Sequence, residues 1–234
     1  MTSDLQTDIN GNRVTRLDVR FPWSGVWSAE ADFDQALPDD QLVGPAVIHL
    51  GPLTLKGFFD PELTGTFQTQ SKCHLHGGVN GWPAVLPAAP YHSDAGVLAT
   101  TVLTDLARET GETLGDLSAV AGLIVGNDFV RARQRASATL SWLLGQDVQW
   151  FVDESGITQI VDRPALEING DYEVLEYDSR FKVAKVTSDD PGIIGVGSVL
   201  RGPKLARPLW VKEVAITVDK SGVRFTCWGV EVAI

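Results

Sequence analysis

Apolar and polar residues alternate in short runs at both ends of the chain, which is the pattern of β-strands with one buried face. Near the N-terminus two such runs flank Gly51-Pro52, a dipeptide typical of a tight turn. Near the C-terminus two more flank Lys220-Ser221-Gly222, and this predicts a hairpin. The strands recur at short spacing with Gly and Pro between them, which favours barrels or sandwiches over a parallel sheet.

The middle of the chain has helical periodicity instead. A first helix is predicted after Asp94, which can act as its N-cap, and Gly111 ends it. A second helix is predicted to begin at Thr113 or Asp116 and to end at Gly126-Asn127. Both carry apolar residues on one face, so both are expected to pack against a core.

A third, basic helix is predicted to begin at Arg131, and a hairpin over residues 147–161 follows it. The hairpin has alternating apolar residues on either side of a turn at Asp153-Glu154-Ser155-Gly156. The sequence therefore predicts an α+β chain that is mainly β. Two barrel or sandwich regions, 1–80 and 166–234, flank a small α/β middle domain, 81–165.

The composition narrows the classes of function. The 234 residues include 19 basic and 30 acidic side chains, which gives a net charge of −11 and argues against nucleic acid as the main partner. The chain lacks the roughly 18 consecutive apolar residues of a membrane-spanning helix, so no membrane insertion is expected. Cys73 and Cys227 are the only cysteines. They imply no disulfide framework, and synthesis in a reducing cytoplasm is expected.

Four residues are candidates for metal binding: Cys73, His74, His76 and His92. Thiolate and imidazole are good zinc ligands, but a structural zinc site needs four of them. In an extended strand His74 and His76 share one face while Cys73 points away. We therefore expect ordinary strand or loop residues and no cofactor, and a metal-dependent hydrolase built on these four residues stays open as an alternative.

Other catalytic patterns are weak. The chain has no G-x-S-x-G motif. Its paired carboxylates, Asp39/Asp40, Asp153/Glu154 and Asp189/Asp190, fall in predicted turns, where Asp is favoured for local backbone hydrogen bonds. The sequence predicts that the protein is not an enzyme.

Exposed aromatic and basic residues suggest contacts with partners instead. The candidates are Trp23, Trp27, Trp82, Arg131, Arg133 and Arg135. Tryptophan is enriched at protein interfaces and also stacks on sugars. These residues therefore support two hypotheses: an assembly protein, or a carbohydrate-binding β domain that contacts a cell surface.

Three segments resemble the hub proteins of phage tails and baseplates and of related contractile injection systems. Residues 131–163 are similar to the helix and W-x-V-D-x-x-G hairpin of their middle domains. Residues 77–114 resemble tail proteins of siphophages and Mu-like phages, and FPWSGVWSAEADFD fits the opening strands of such proteins.

This resemblance implies tail-tube-like β-barrels, two per chain, so that a homotrimer presents six similar units. Such a ring would adapt a sixfold tail tube to a threefold spike or fibre assembly. The implied partners are the tube or distal tail protein, the tape-measure protein, and spike or fibre proteins. The implied location is the tail tip of the virion. DNA would pass only transiently through a lumen lined by acidic side chains such as Asp32, Asp34, Asp39 and Asp40.

Overall fold

The structure is a computed structural model that describes residues 6–145 and 148–233. The prediction of a mainly β, α+β chain is confirmed, with two α-helices among the described residues. The first residues of the predicted N-terminal region, the first residue of the predicted hairpin (147) and the last residue of the C-terminal region lie outside them.

The N-terminal strands form a closed barrel. They are β1 (Thr7–Ile9), β2 (Asn12–Phe21), β3 (Ser28–Phe33), β4 (Pro45–Leu50), β5 (Leu53–Phe59), β6 (Gly65–Phe67) and β7 (Gln70–Gly77). The order around the barrel is β1-β4-β5-β7-β3-β2, and β1 pairs with β2 to close it. Leu50 pairs with Leu53, so the predicted Gly51-Pro52 turn is confirmed. Alternate residues such as Leu17, Ile48 and Leu75 are fully buried, as the period of two requires.

The middle region combines two helices with three two-stranded sheets. Its elements are β8 (Val85–Leu86), β9 (Ala89–Leu98), α1 (Ala99–Thr110), β10 (Ile124–Arg131), β11 (Gln134–Arg135), α2 (Ala136–Leu144), β12 (Trp150–Val152) and β13 (Thr158–Ile160). β9 pairs with β10, β8 with β11, and β12 with β13, all antiparallel. The predicted hairpin is thus present as β12 and β13.

Two of the predicted helices begin elsewhere than expected. The first is α1, and it ends at Gly111, whose φ of 75° suits glycine. Asp94 is not its cap, because this residue lies inside β9. The helix predicted from Arg131 begins at Ala136, because Arg131 is the last residue of β10 and pairs with Ala89.

The second predicted helix is wrong. Only a 3₁₀ turn, Ser118–Val120, lies in its place, and β10 begins four residues later. The carboxylate of Asp116 accepts hydrogen bonds from the N–H and the hydroxyl of Ser118, at 2.9 and 2.7 Å. Asp in this role stabilises a turn rather than a helix interior.

The C-terminal strands form an open sheet. They are β14 (Leu166–Glu167), β15 (Glu173–Asp178), β16 (Val183–Thr187), β17 (Ser198–Leu200), β18 (Leu209–Asp219) and β19 (Gly222–Glu231). Asp219 pairs with Gly222, so the predicted Lys220-Ser221-Gly222 hairpin is confirmed. The order is β18-β19-β16-β15, with β17 beside β18 and β14 beside β17.

A single sheet joins the two β regions. The first half of β2 pairs with β1 to close the barrel, and its second half pairs with β18. One hydrophobic core also extends through all three parts of the described chain. The boundaries near residues 80 and 165 therefore stay predictions.

Candidate interaction surface

Trp27 is a core residue and not an exposed contact residue. It is 1% exposed, and its ring lies over two glycines of neighbouring strands, Gly57 in β5 and Gly77 in β7. A Cβ atom at Gly77 would lie 2.5 Å from Trp27 Nε1. The same N–H donates to the carbonyl of Asp153 at 3.2 Å, so the indole ties the barrel to the hairpin.

Trp82 is also buried, with no exposed surface. Its Nε1–H donates to the hydroxyl of Thr158 at 2.9 Å, and its ring lies 5.6 Å from that of Trp150. The expectation that Trp27 and Trp82 are exposed is therefore wrong. Both are large side chains whose single polar group has an internal partner, which is how buried Trp is normally accommodated.

Arg131 is buried in an internal ion pair. It is 1% exposed, and its guanidinium donates to both carboxylate oxygens of Glu109, at 3.1 and 2.8 Å. It also donates to the carbonyl of Pro87. Arg131 therefore fastens β10 to α1 and is not available to a partner. Arg133 and Arg135 are exposed and stay candidates.

Trp23 is the one predicted tryptophan that lies in an accessible cluster. Lys212 Nζ lies 3.3 Å from the ring centroid of Trp23 and 3.2 Å from that of Trp210, so the ammonium sits between two indoles. The guanidinium of Arg163 stacks on Phe151 at 3.4 Å. We call these five half-buried residues the cation–aromatic cluster. They come from all three regions of the chain.

The cation–aromatic cluster holds two cations and no carboxylate ion pair among the described residues. Burial lowers the pKa of Arg163 to about 10 and also lowers that of Lys212. The Nε of Arg163 and the Nε1 of Trp210 are buried donors that have no acceptor among the described residues. Buried donors without acceptors are costly. The two cations, without an ion pair in the described residues, give this surface a positive charge.

Further exposed apolar residues lie along two strand edges. Phe67 in β6 is 76% exposed and Leu175 in β15 is 44% exposed. Among the described strands β6 pairs only with β7, and β15 only with β16. Each strand therefore pairs with a neighbouring strand on one side only, although the carbonyl of Leu175 accepts a hydrogen bond from the Lys204 ammonium at 2.9 Å. An edge without a strand neighbour is a template for pairing with another chain.

Trp142 is an exposed aromatic residue that the sequence interpretation missed. It is 62% exposed on α2 and stacks on Phe129, with ring centroids 5.4 Å apart. The sequence does indicate this exposure, because a tryptophan outside the apolar stripe of an amphipathic helix faces away from the core.

The four candidate metal ligands do not converge. Cys73 faces the barrel interior, and burial raises the pKa of its thiol to about 12, so it is not a thiolate. His92 lies elsewhere, with Nδ1 2.6 Å from Asp128. His74 and His76 do share one outer face, as the strand period predicts, with ring centroids 4.7 Å apart. The sequence interpretation missed Asp60, whose carboxylate lies beside them.

No described helix has the length and apolar character needed to cross a membrane.

The chain is similar to known proteins in structure and not in sequence. No protein-family model and no curated protein matches the sequence. The structure is similar to the 43 kDa tail protein of prophage MuSo2 from Shewanella oneidensis, with a TM-score of 0.66 and 8% identity over 98% of both chains. It is also similar to a tail protein from Neisseria meningitidis MC58, with a TM-score of 0.63 and 10% identity over 95% of this chain and 94% of that one.

A third similar structure is the E. coli c3393 protein, a component of the type VI secretion system that itself resembles the T4 tail proteins gp27 and gp5. The TM-score is 0.66 and the identity 12%, over 97% of this chain and 79% of that one. Along nearly its whole length, the chain therefore has the fold of phage tail proteins.

Proposed function

We propose that this chain is a structural component of a phage tail tip or baseplate hub. The observation that supports this most strongly is the length of the fold similarity, which covers 98% of the chain against one phage tail protein and 95% against another. Such coverage takes in the closed barrel, the middle domain and the C-terminal sheet together. The proposed role is assembly rather than catalysis, and its place is the virion tail tip after synthesis in the host cytoplasm.

We further propose that three copies form a ring that adapts a sixfold tube to a threefold spike or fibre assembly. Head-to-tail contacts between identical chains close a ring when the rotation allows it. The free edge of β6 in one copy and the free edge of β15 in the next are suitable surfaces, because both carry exposed apolar residues, Phe67 and Leu175. Strand addition at these edges would supply backbone hydrogen bonds, and at β15 it would replace the Lys204 side chain on the Leu175 carbonyl.

The cation–aromatic cluster is the proposed contact with another tail protein. Its two cations without a described ion pair, Arg163 and Lys212, favour a carboxylate side chain as the occupant. The tube or distal tail protein, the tape-measure protein and the spike or fibre proteins are the candidate partners. DNA would only pass through the ring, where exposed acidic residues such as Asp34, Asp39 and Asp40 would repel it.

The carbohydrate-binding alternative has less support. Trp27 and Trp82 are buried, and Lys212 already covers a face of Trp23. Sugar stacking requires an open aromatic face, so none of the three suits it.

Native mass spectrometry of the purified full chain tests the ring. We expect a main species of about three times the 25.3 kDa chain mass. Phe67→Ser should weaken self-association at least about tenfold, because it removes an exposed apolar contact at the proposed edge. Val43→Ser is the control, because Val43 is 55% exposed and lies outside any strand, and this change should leave self-association unaltered. A dimer or hexamer, or equal effects of the two variants, would contradict the proposed ring.

A further inference from the structure

Two histidines and an aspartate meet on the outer wall of the barrel. β7 places His74 and His76 on one face, and Asp60 directly follows β5. Asp60 Oδ2 lies 3.3 Å from His76 Nε2. One ligand atom from each of the three residues lies within 4.8 Å of the other two.

The backbone holds Asp60 in this position. Its N–H donates to the carbonyl of His74 at 2.8 Å. The hydroxyl of Thr64 donates to the same carbonyl and accepts the N–H of His74, so the β5–β6 loop folds back on β7. Asp60 Oδ1 accepts the N–H of Glu62 at 3.0 Å. This bond orients the carboxylate and leaves Oδ2 toward the histidines.

The three side chains are in a suitable state for metal binding. Those of Asp60, His74 and His76 are 18%, 19% and 21% exposed. His74 Nδ1 is buried and makes no hydrogen bond within the described chain, which leaves it available.

The geometry and the ligand chemistry fit one class of metal. Zinc bonds of about 2.0–2.1 Å in a tetrahedron place neighbouring ligand atoms roughly 3.3–3.4 Å apart. The 3.3 Å between His76 and Asp60 matches this spacing. Two imidazoles with a carboxylate favour zinc over calcium or magnesium, which prefer oxygen ligands.

We propose that Asp60, His74 and His76 bind one zinc ion, with water in the fourth position. The ion would fasten the β5–β6 loop to the barrel wall. It would thereby fix the loop that carries Leu63, 63% exposed, and leads to the exposed edge strand β6. This proposal does not depend on a role in a phage tail.

Zinc titration of the untagged full chain by isothermal calorimetry tests the site. We expect one zinc per wild-type chain, and at least about tenfold weaker binding in Asp60→Asn and His76→Asn. Asp60→Asn keeps an oxygen that can accept the Glu62 N–H, so the loop geometry is retained. His92→Gln is the matched control, because His92 is an exposed histidine that contacts other carboxylates. It should bind zinc as the wild type does.

Thermal unfolding separates loss of the site from loss of the fold. In EDTA, Asp60→Asn should unfold within a few degrees of the wild type. With free zinc at about 100 times the dissociation constant, the wild type should gain roughly 5–10 °C and the variant much less. Three results would each overturn the proposal. They are undiminished zinc binding in Asp60→Asn, loss of zinc binding in His92→Gln, and no saturable zinc binding by the wild type.

Discussion

Replacing Arg131 with methionine tests whether this residue is an internal clamp. Methionine keeps an unbranched apolar stem but removes the donors to Glu109 and to the carbonyl of Pro87. Removing one partner of a buried ion pair costs about 3–5 kcal/mol. Glu109 is 30% exposed and can be partly hydrated, so we expect the lower end, about 3 kcal/mol. For a chain of this length, that lowers the unfolding temperature by roughly 6–12 °C.

Urea unfolding monitored by tryptophan fluorescence measures this change in the free energy of unfolding. Arg133→Met is the matched control, because Arg133 is exposed two residues further along, and it should change stability by less than about 0.5 kcal/mol. The double variant Arg131→Met, Glu109→Leu should lose at least about 1 kcal/mol less of the free energy of unfolding than the two single variants lose in sum. Equal stabilities of Arg131→Met and Arg133→Met would refute the buried clamp.

Two further predictions concern the barrel and its junction with the middle domain. Gly77→Ala should destabilise the chain by about 1–3 kcal/mol, because the new Cβ would meet the Trp27 indole. Gly65→Ala is the control, because a Cβ at Gly65 would lie in open space and should not lower the free energy of unfolding. Denaturant unfolding of both variants measures the difference. Burial raises the pKa of Glu112 despite the hydrogen bond from the Gly81 N–H, so the folded state favours the protonated carboxyl group. The wild type should therefore lose stability relative to Glu112→Gln as the pH rises from about 4 to 7 and the carboxyl group ionises. A pH-independent difference in the unfolding free energy between wild type and Glu112→Gln would contradict this assignment.

The features that the sequence predicted correctly are those set by local chemistry. The Gly51-Pro52 turn, the hairpin at Lys220-Ser221-Gly222 and the shared face of His74 and His76 follow from turn preferences or from the strand period. The middle hairpin follows from the same rules.

The errors arise where distant segments decide the outcome. Trp27 is buried only because Gly57 and Gly77 lie beneath its ring, and both glycines are 30 or more positions away in the sequence. Arg131 lies in a strand because β10 pairs with β9, and bulges in this pairing hide the strand period. Asp60 joins the histidines through a loop that folds back on β7, which no short-range pattern indicates.

The central claim, a threefold structural component of a tail, is tested most directly by counting this chain in purified phage particles. Quantitative mass spectrometry with isotope-labelled peptides would give its ratio to the major tube protein. We expect about three copies per tail, the number that a threefold hub requires. Absence from the particle, or a copy number close to that of the tube protein, would contradict the account.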